Sequence, residues 1–319
     1  MQPAWDFFSK GDLAGAERAV AVAAQQDSNM ALAPIPDIMI IKAIYLCRLH
    51  RFQEARSLFG RVLEDRPDDA YAQAGYLLAL QDQLTAEGRG TKSISQGNSV
   101  SAENGSSGTL LLGLGTGRSG STTLTRLWQE QDDCYCSHEH PPRLNWDVSI
   151  PRLEFHKRRI DVLLNGYRFV GDVSHWWLPY LENILEAYQS ARVVVLKRDM
   201  NATIESFLRI KGGGGKGTIN HWIKHDGSYW VKNIWDECYP GYDVATMKEA
   251  IERYWNNYYA SVETLMRRFP SLIKEFPTER LGERDTQAEI LSFCGFGEPK
   301  IIEDLQLNKG GASAGERMY

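Results

Sequence analysis

Gly115-Thr-Gly-Arg-Ser-Gly-Ser-Thr-Thr, ending at Thr123, stands between a short apolar run, Leu110-Leu-Leu-Gly-Leu, and a helical stretch from Thr122 to Gln131. A glycine-rich turn between a buried strand and a helix points successive backbone N–H groups and the positive end of the helix dipole at one spot, which is a phosphate cradle. Outward from it, Tyr167-Arg-Phe-Val-Gly-Asp reads as a strand, Leu178 to Tyr188 as a helix and Arg192-Val-Val-Val-Leu as a fully buried parallel strand, followed by a helix from Asn201 to Ile210. Strand and helix in alternation give an α/β fold: a parallel sheet flanked by helices, with ligands at the carboxyl ends of the strands. The tail returns to helices, Val244 to Phe269 and Thr286 to Cys294, the first with a packing stripe of Trp255, Tyr258 and Tyr259.

Upstream the pattern changes. The first 85 residues or so read as helices only, and Gly11-Asp-Leu-Ala-Gly-Ala-Glu is echoed by His50-Arg-Phe-Gln-Glu-Ala-Arg, so that Leu13 matches Phe52 and Ala16 matches Ala55. The second copy continues to Phe59 and Pro67, and Asp68 or Asp69 can cap a helix from Ala70 to Leu84. This pattern resembles a degenerate tetratricopeptide array, with Ala-Pro-Ile-Pro (33 to 36) as an inserted loop of the first copy. Arrays of this kind need about three repeats for a continuous core, so the segment either docks on the neighbouring domain or offers a groove to a protein partner. The Gly-, Ser- and Asn-rich stretch that follows is too poor in apolar residues to pack. The expected organisation is residues 1–85 helical, 86–108 linker and 109–319 α/β.

Composition narrows the function classes. The chain has 319 residues, 43% of them apolar, and a formal net charge of −5, which excludes broad charge-driven binding to nucleic acid or anionic lipid and requires a local site for any anionic ligand. Five scattered cysteines, an odd number, argue against a secreted disulfide framework. No basic stretch leading into an apolar one opens the sequence, and no run approaches the ~18 apolar residues of a membrane span, so a cytoplasmic location and no membrane association are expected.

The loop departs from the ATP-binding pattern G-x-x-x-x-G-K-[ST]. Gly115 and Gly120 occupy its glycine positions, but Ser121 stands where the lysine must be, and the cation is Arg118 inside the loop. After the Arg192 strand comes Lys197-Arg-Asp-Met-Asn-Ala-Thr-Ile-Glu-Ser, with an arginine at the strand end and a serine eight positions on; an arginine fork is a group that binds phosphate bidentately, and a hydroxyl on the next helix is one that completes such a cage. Arg118, Ser119, Gly120, Ser121 and Thr122, together with Arg198 and Ser206, make the chain similar to the sulfotransferases that use 3′-phosphoadenosine 5′-phosphosulfate (PAPS). The resemblance covers about Thr109 to Phe296. It implies a 5′-phosphosulfate loop holding phosphate oxygens through Ser119, Thr122 and Thr123, with Arg118 neutralising the leaving group, and a 3′-phosphate site at Arg198 and Ser206. It also implies an adenine-covering tail at Phe276-Pro-Thr-Glu-Arg-Leu, a lid at Lys211-Gly-Gly-Gly-Gly-Lys216, 3′-phosphoadenosine 5′-phosphate (PAP) as product, and no metal requirement.

Sulfuryl transfer needs a base for the acceptor proton. In Ser137-His-Glu-His-Pro-Pro, Glu139 matches the catalytic glutamate of the bacterial and glycan-modifying branch; His175, after Ser174, matches the histidine of the cytosolic branch; His138 and His140 flank the glutamate. Asp172 stands where the glycan-modifying branch has a substrate-contacting Glu before Lys, but Val173 replaces that Lys. Cys134-Tyr-Cys-Ser-His-Glu-His suggests thiols and imidazoles on one strand face, yet C-x-C is not the usual zinc spacing, and buried inert cysteines are the expectation. The acceptor is expected to be a small molecule or glycan. Trp146, Trp176, Trp177, Trp222, Trp230 and Trp235 either wall its pocket or belong to the core. The competing readings are a P-loop small-molecule kinase and an inactive interaction protein.

Overall fold

The computed structural model describes residue 15 and residues 36–89, 108–211, 219–223, 233, 235–303 and 305. Most of the first repeat copy, the stretch 90–107, Lys216 and Trp230 lie outside these. The chain divides into two compact units, residues 1–94 and 95–318.

Among the described residues of the first unit three helices follow one another: α1 (Pro36–Arg48), α2 (Phe52–Asp65) and α3 (Ala70–Ala86). Phe52, Ala55, Phe59, Val62 and Leu63 recur at helical spacing and make the buried face of α2. The Phe59 ring lies so close to α3 that a Cβ on Gly75 would stand 2.3 Å from it, so only glycine fits there. Of the two candidate caps, Asp69 is the one used: its carboxylate accepts from the Tyr71 and Ala72 amides at 3.1 and 3.0 Å.

The second unit is a five-stranded, all-parallel sheet in the order β2-β3-β1-β4-β5. The strands are β1 (Thr109–Leu114), β2 (Cys134–His138), β3 (Phe169–Val173), β4 (Arg192–Lys197) and β5 (Ile273–Pro277). The helices are α4 (Ser121–Gln129), α5 (Ile150–Leu164), α6 (Leu181–Ala187), α7 (Met200–Lys211), α8 (Met247–Arg268) and α9 (Arg284–Cys294). The apolar runs of β1 and β4 occupy the centre, buried on both faces as a parallel sheet requires. Because every strand runs the same way, the turns after all five strands gather on one edge of the sheet.

Two features differ from the sequence expectation. The helix expected from Leu178 begins as a 3₁₀ turn, His175–Tyr180, and becomes α6 only at Leu181, since Pro179 has no N–H for a helical ladder. Helix α5 was not apparent in the sequence, because its buried side includes Arg152, His156 and Arg159.

Those polar residues belong to a network centred on Asp172. One oxygen of its buried carboxylate accepts from Ser137 Oγ at 2.6 Å and the His140 amide at 3.3 Å, and lies 3.7 Å from Arg159 Nη2. The other accepts from Ser174 Oγ and Trp177 Nε1, both at 2.7 Å. Asp172 thus ties β2, β3 and α5 together. Removing one partner of a buried ion pair leaves an uncompensated charge. Asp172→Ala is therefore expected to lower unfolding free energy by about 3 kcal/mol in urea titrations; an unchanged midpoint contradicts this role.

Candidate active site

The loop after β1 sits at the middle of the carboxyl edge. Its glycines are dictated by backbone: Gly117 and Gly120 have φ of 81° and 87°, and a Cβ on Gly115 would lie 2.9 Å from the Leu196 carbonyl. Arg118 shares the left-handed conformation at φ 57°. Gly120 caps α4 without any side-chain bond, which leaves the first-turn amides of that helix, Ser121 to Thr123, to face the loop. Ser119 is buried, and its Oγ has no hydrogen-bond partner. A buried hydroxyl without a partner costs free energy unless a ligand engages it.

The second anion motif meets the first. Arg198 Nη1 donates to the Arg118 carbonyl at 2.9 Å, and Arg118 Nε donates to Ser206 Oγ at 3.2 Å. Burial, then the neighbouring Arg198 and Arg209, hold the Arg118 guanidinium below arginine's ordinary value. The two arginines therefore share one cleft. Asp199 caps α7 by accepting from the Ala202 amide at 2.8 Å, which orients Ser206 two turns on.

The aromatic stripe of α8 packs, as its spacing suggested, and also fixes the strand exits. Tyr258 OH accepts from the Gly115 amide at 3.1 Å and donates to the His175 carbonyl at 3.2 Å. Tyr259 OH donates to the Leu196 carbonyl at 2.7 Å and Trp255 Nε1 to the Arg198 carbonyl at 3.1 Å. From the turn after β5, Thr278 Oγ1 donates to the Ser119 carbonyl at 2.8 Å. These hydroxyl contacts were not legible in sequence; the only signal was an i, i+3, i+4 aromatic spacing.

Of the candidate bases, Glu139 leaves β2 in a left-handed conformation, φ 51°, with its amide donating to the Val173 carbonyl at 3.2 Å. Its carboxylate oxygens lie 3.9 Å from His138 Nδ1 and 3.9 Å from His175 Nδ1. His138 is turned to α4, where Nε2 meets Ser121 Oγ at 2.9 Å, and His140 packs against His156 at 6.3 Å between ring centroids. His175 is buried, its Nε2 lies 3.2 Å from the Cys238 carbonyl, and burial pulls its imidazole down to about 3. It is neutral, with the proton on Nε2 and the Nδ1 lone pair on the side of Glu139.

The thiols behave as the sequence suggested. Burial pushes Cys134 up to about 12 and Cys136 well above its ordinary value, far from thiolates. Among the described residues no three His, Cys, Asp or Glu side chains gather as metal ligands. Trp176, Trp177 and Trp222 are core, fully buried, whereas Trp146 and Trp235 are half-buried. No helix among the described residues is long and apolar enough to cross a membrane.

The chain thus has a parallel α/β sheet with a glycine-rich turn and two neighbouring arginines at its carboxyl edge. The family model described as Sulfotransferase domain matches residues 111–276, more than half of the chain, and the chain belongs to that family. A sulfotransferase from Alicyclobacillus acidocaldarius, known from its crystal structure, is similar at 14% identity over 62% of this chain and 85% of that one, with a TM-score of 0.39. No curated protein matches the chain.

The buried neutral histidines give stability a pH dependence. His175, held at about 3, and His156, pulled by burial to about 4, stay neutral when folded but take up protons when unfolded below pH about 6.5. The unfolded state then binds more protons, so stability falls as pH falls below 6.5, by up to about 1.4 kcal/mol per unit from each. Urea unfolding at pH 7 and pH 5 is expected to show a lower midpoint at pH 5, with a smaller difference in His175→Gln; a flat profile contradicts the assignment.

Proposed function

We propose that the protein transfers the sulfuryl group of PAPS to a hydroxyl or amine of a small-molecule or glycan acceptor. The observation that supports this most is the convergence of Arg118, Arg198 and Ser206 beside a loop whose buried Ser119 hydroxyl has no partner. The Arg118 guanidinium, lowered by burial and then by the neighbouring Arg198, is stabilised by an anion beside it, and the unengaged hydroxyl fits an oxygen-rich ligand.

In this reading the loop amides of residues 118–123 with Ser119, Thr122 and Thr123 hold the 5′-phosphate, and Arg198 with Ser206 holds the 3′-phosphate. When bound, PAPS supplies the sulfur–oxygen bond that breaks as the acceptor oxygen or nitrogen bonds to sulfur. Arg118 neutralises charge on the bridging oxygen that leaves with the nucleotide. Glu139 takes the acceptor proton, because its carboxylate is partly exposed at the cleft, whereas His175 is sealed in and donates Nε2–H to Cys238. The His175 Nδ1 lone pair then accepts from the protonated carboxyl and fixes its orientation.

No metal enters this scheme, and the protein is placed in the cytoplasm. Ser121, standing in the position of the missing lysine and bonded to His138, supports sulfuryl over phosphoryl transfer. Helices α1 to α3 are assigned to a tetratricopeptide-like unit that can engage a protein partner.

Calorimetry is expected to show tight binding of PAP and weak binding of ATP, with losses of about ten- to hundredfold for Arg118→Ala and Arg198→Ala. Equal affinity for ATP, or indifference to Arg198, overturns the donor assignment. In a panel of hydroxyl and amine acceptors, Glu139→Gln is expected to lower PAPS consumption by about 10²-fold or more while PAP affinity is kept; an active variant moves the base elsewhere.

A further inference from the structure

The Tyr239 ring is clamped on both faces. His175 stacks on one side at 4.3 Å between centroids and 16° between planes, and His221 on the other at 5.1 Å and 8°. Trp222 and Tyr254 meet it edge-on at 4.9 and 5.5 Å. Both imidazoles are themselves anchored to the turn that carries the tyrosine: His175 Nε2 to the Cys238 carbonyl at 3.2 Å, and His221 Nδ1 to Asp236 Oδ1 at 2.7 Å. Such bracing fixes where the phenol points.

It points at the phosphate loop. All of the contacts above are made by the ring, and the hydroxyl is the part that reaches the loop, 3.5 Å from where a Cβ on Gly117 would stand. The charges acting on it include the Glu139 carboxylate and the Arg118 guanidinium. Burial, reinforced by Glu139, raises its proton affinity, so the phenol is a hydrogen-bond donor and not a base. The group thus stands beside the cation assigned to the leaving oxygen and the carboxylate assigned to the acceptor proton. The transferring group must pass between those two.

We propose that the Tyr239 hydroxyl donates a hydrogen bond to a sulfuryl oxygen of the bound donor, and that the His221 and His175 rings hold it there. This rests on the sulfuryl-transfer reading above and adds a residue that distinguishes the sulfated nucleotide from its desulfated product.

The test is calorimetry of PAPS and PAP, without acceptor, on the full chain and on Tyr239→Phe, which keeps the ring stack and removes only the hydroxyl. The expected result is a loss of about tenfold or more for PAPS with PAP affinity unchanged, the latter showing that the variant is folded. Unchanged affinity for PAPS, or equal losses for both nucleotides, overturns the proposal and leaves the sulfuryl-transfer reading standing. Failure of the unaltered protein to bind either nucleotide overturns that reading, and the proposal with it.

Discussion

Like charges do not gather in a folded protein without something to hold them. Here the Arg118 and Arg198 guanidinium groups meet at the carboxyl edge of the sheet, with Arg209 close enough to add to the repulsion. Arg198 is bonded to the backbone of the very loop that carries Arg118. Everything else at this edge keeps that unfavourable arrangement in place. The glycines let the loop fold back, the central strands β1 and β4 bring the two motifs side by side, and the aromatic stripe of α8 pins the exits of β1, β3 and β4 through two hydroxyls and an indole, the Tyr258 hydroxyl accepting at β1 and the others donating. A site preorganised in this way stabilises charge without moving when it arrives.

A second set of interactions fixes the opposite wall. The Asp172 network joins β2, β3 and α5 just beneath Glu139, and two of its donors, Ser137 and Ser174, are immediate chain neighbours of the histidines His138 and His175. The stack of His221, Tyr239 and His175 continues this wall across the cleft. Two buried polar layers therefore set the geometry of one half-exposed carboxylate.

Much of this was legible in the sequence, for a physical reason. The glycine-rich loop is local: it needs residues within one turn and one helix start, so its glycines and the strand before it mark it in the sequence, whereas Arg198 and Ser206 stood out only through the family resemblance. The sheet was legible because β1, β3 and β4 are short apolar runs bounded by turns. What the sequence concealed is what is assembled from distant segments. Helix α5 was hidden because its arginines and histidine face inward, against the usual polar-out pattern. The partners of Asp172 come from β2, α5 and the turn after β3, three segments far apart in sequence. Tyr239 lies in a stretch with no motif at all, and only the fold brings its hydroxyl to Gly117. Where the Glu139, His138, His140 and His175 side chains lie likewise depends on backbone conformation, as at the left-handed turn of Glu139, which a sequence does not show.

The central claim is that one ligand with two separated anionic groups spans the cleft that Arg118 and Arg198 share. A crystal structure with PAP bound tests it most directly. The account predicts the 5′-phosphate on the amides of residues 118–123 and the 3′-phosphate within hydrogen-bond distance of Arg198 and Ser206. A nucleotide bound elsewhere, or one with both arginines turned away from its phosphates, would contradict it.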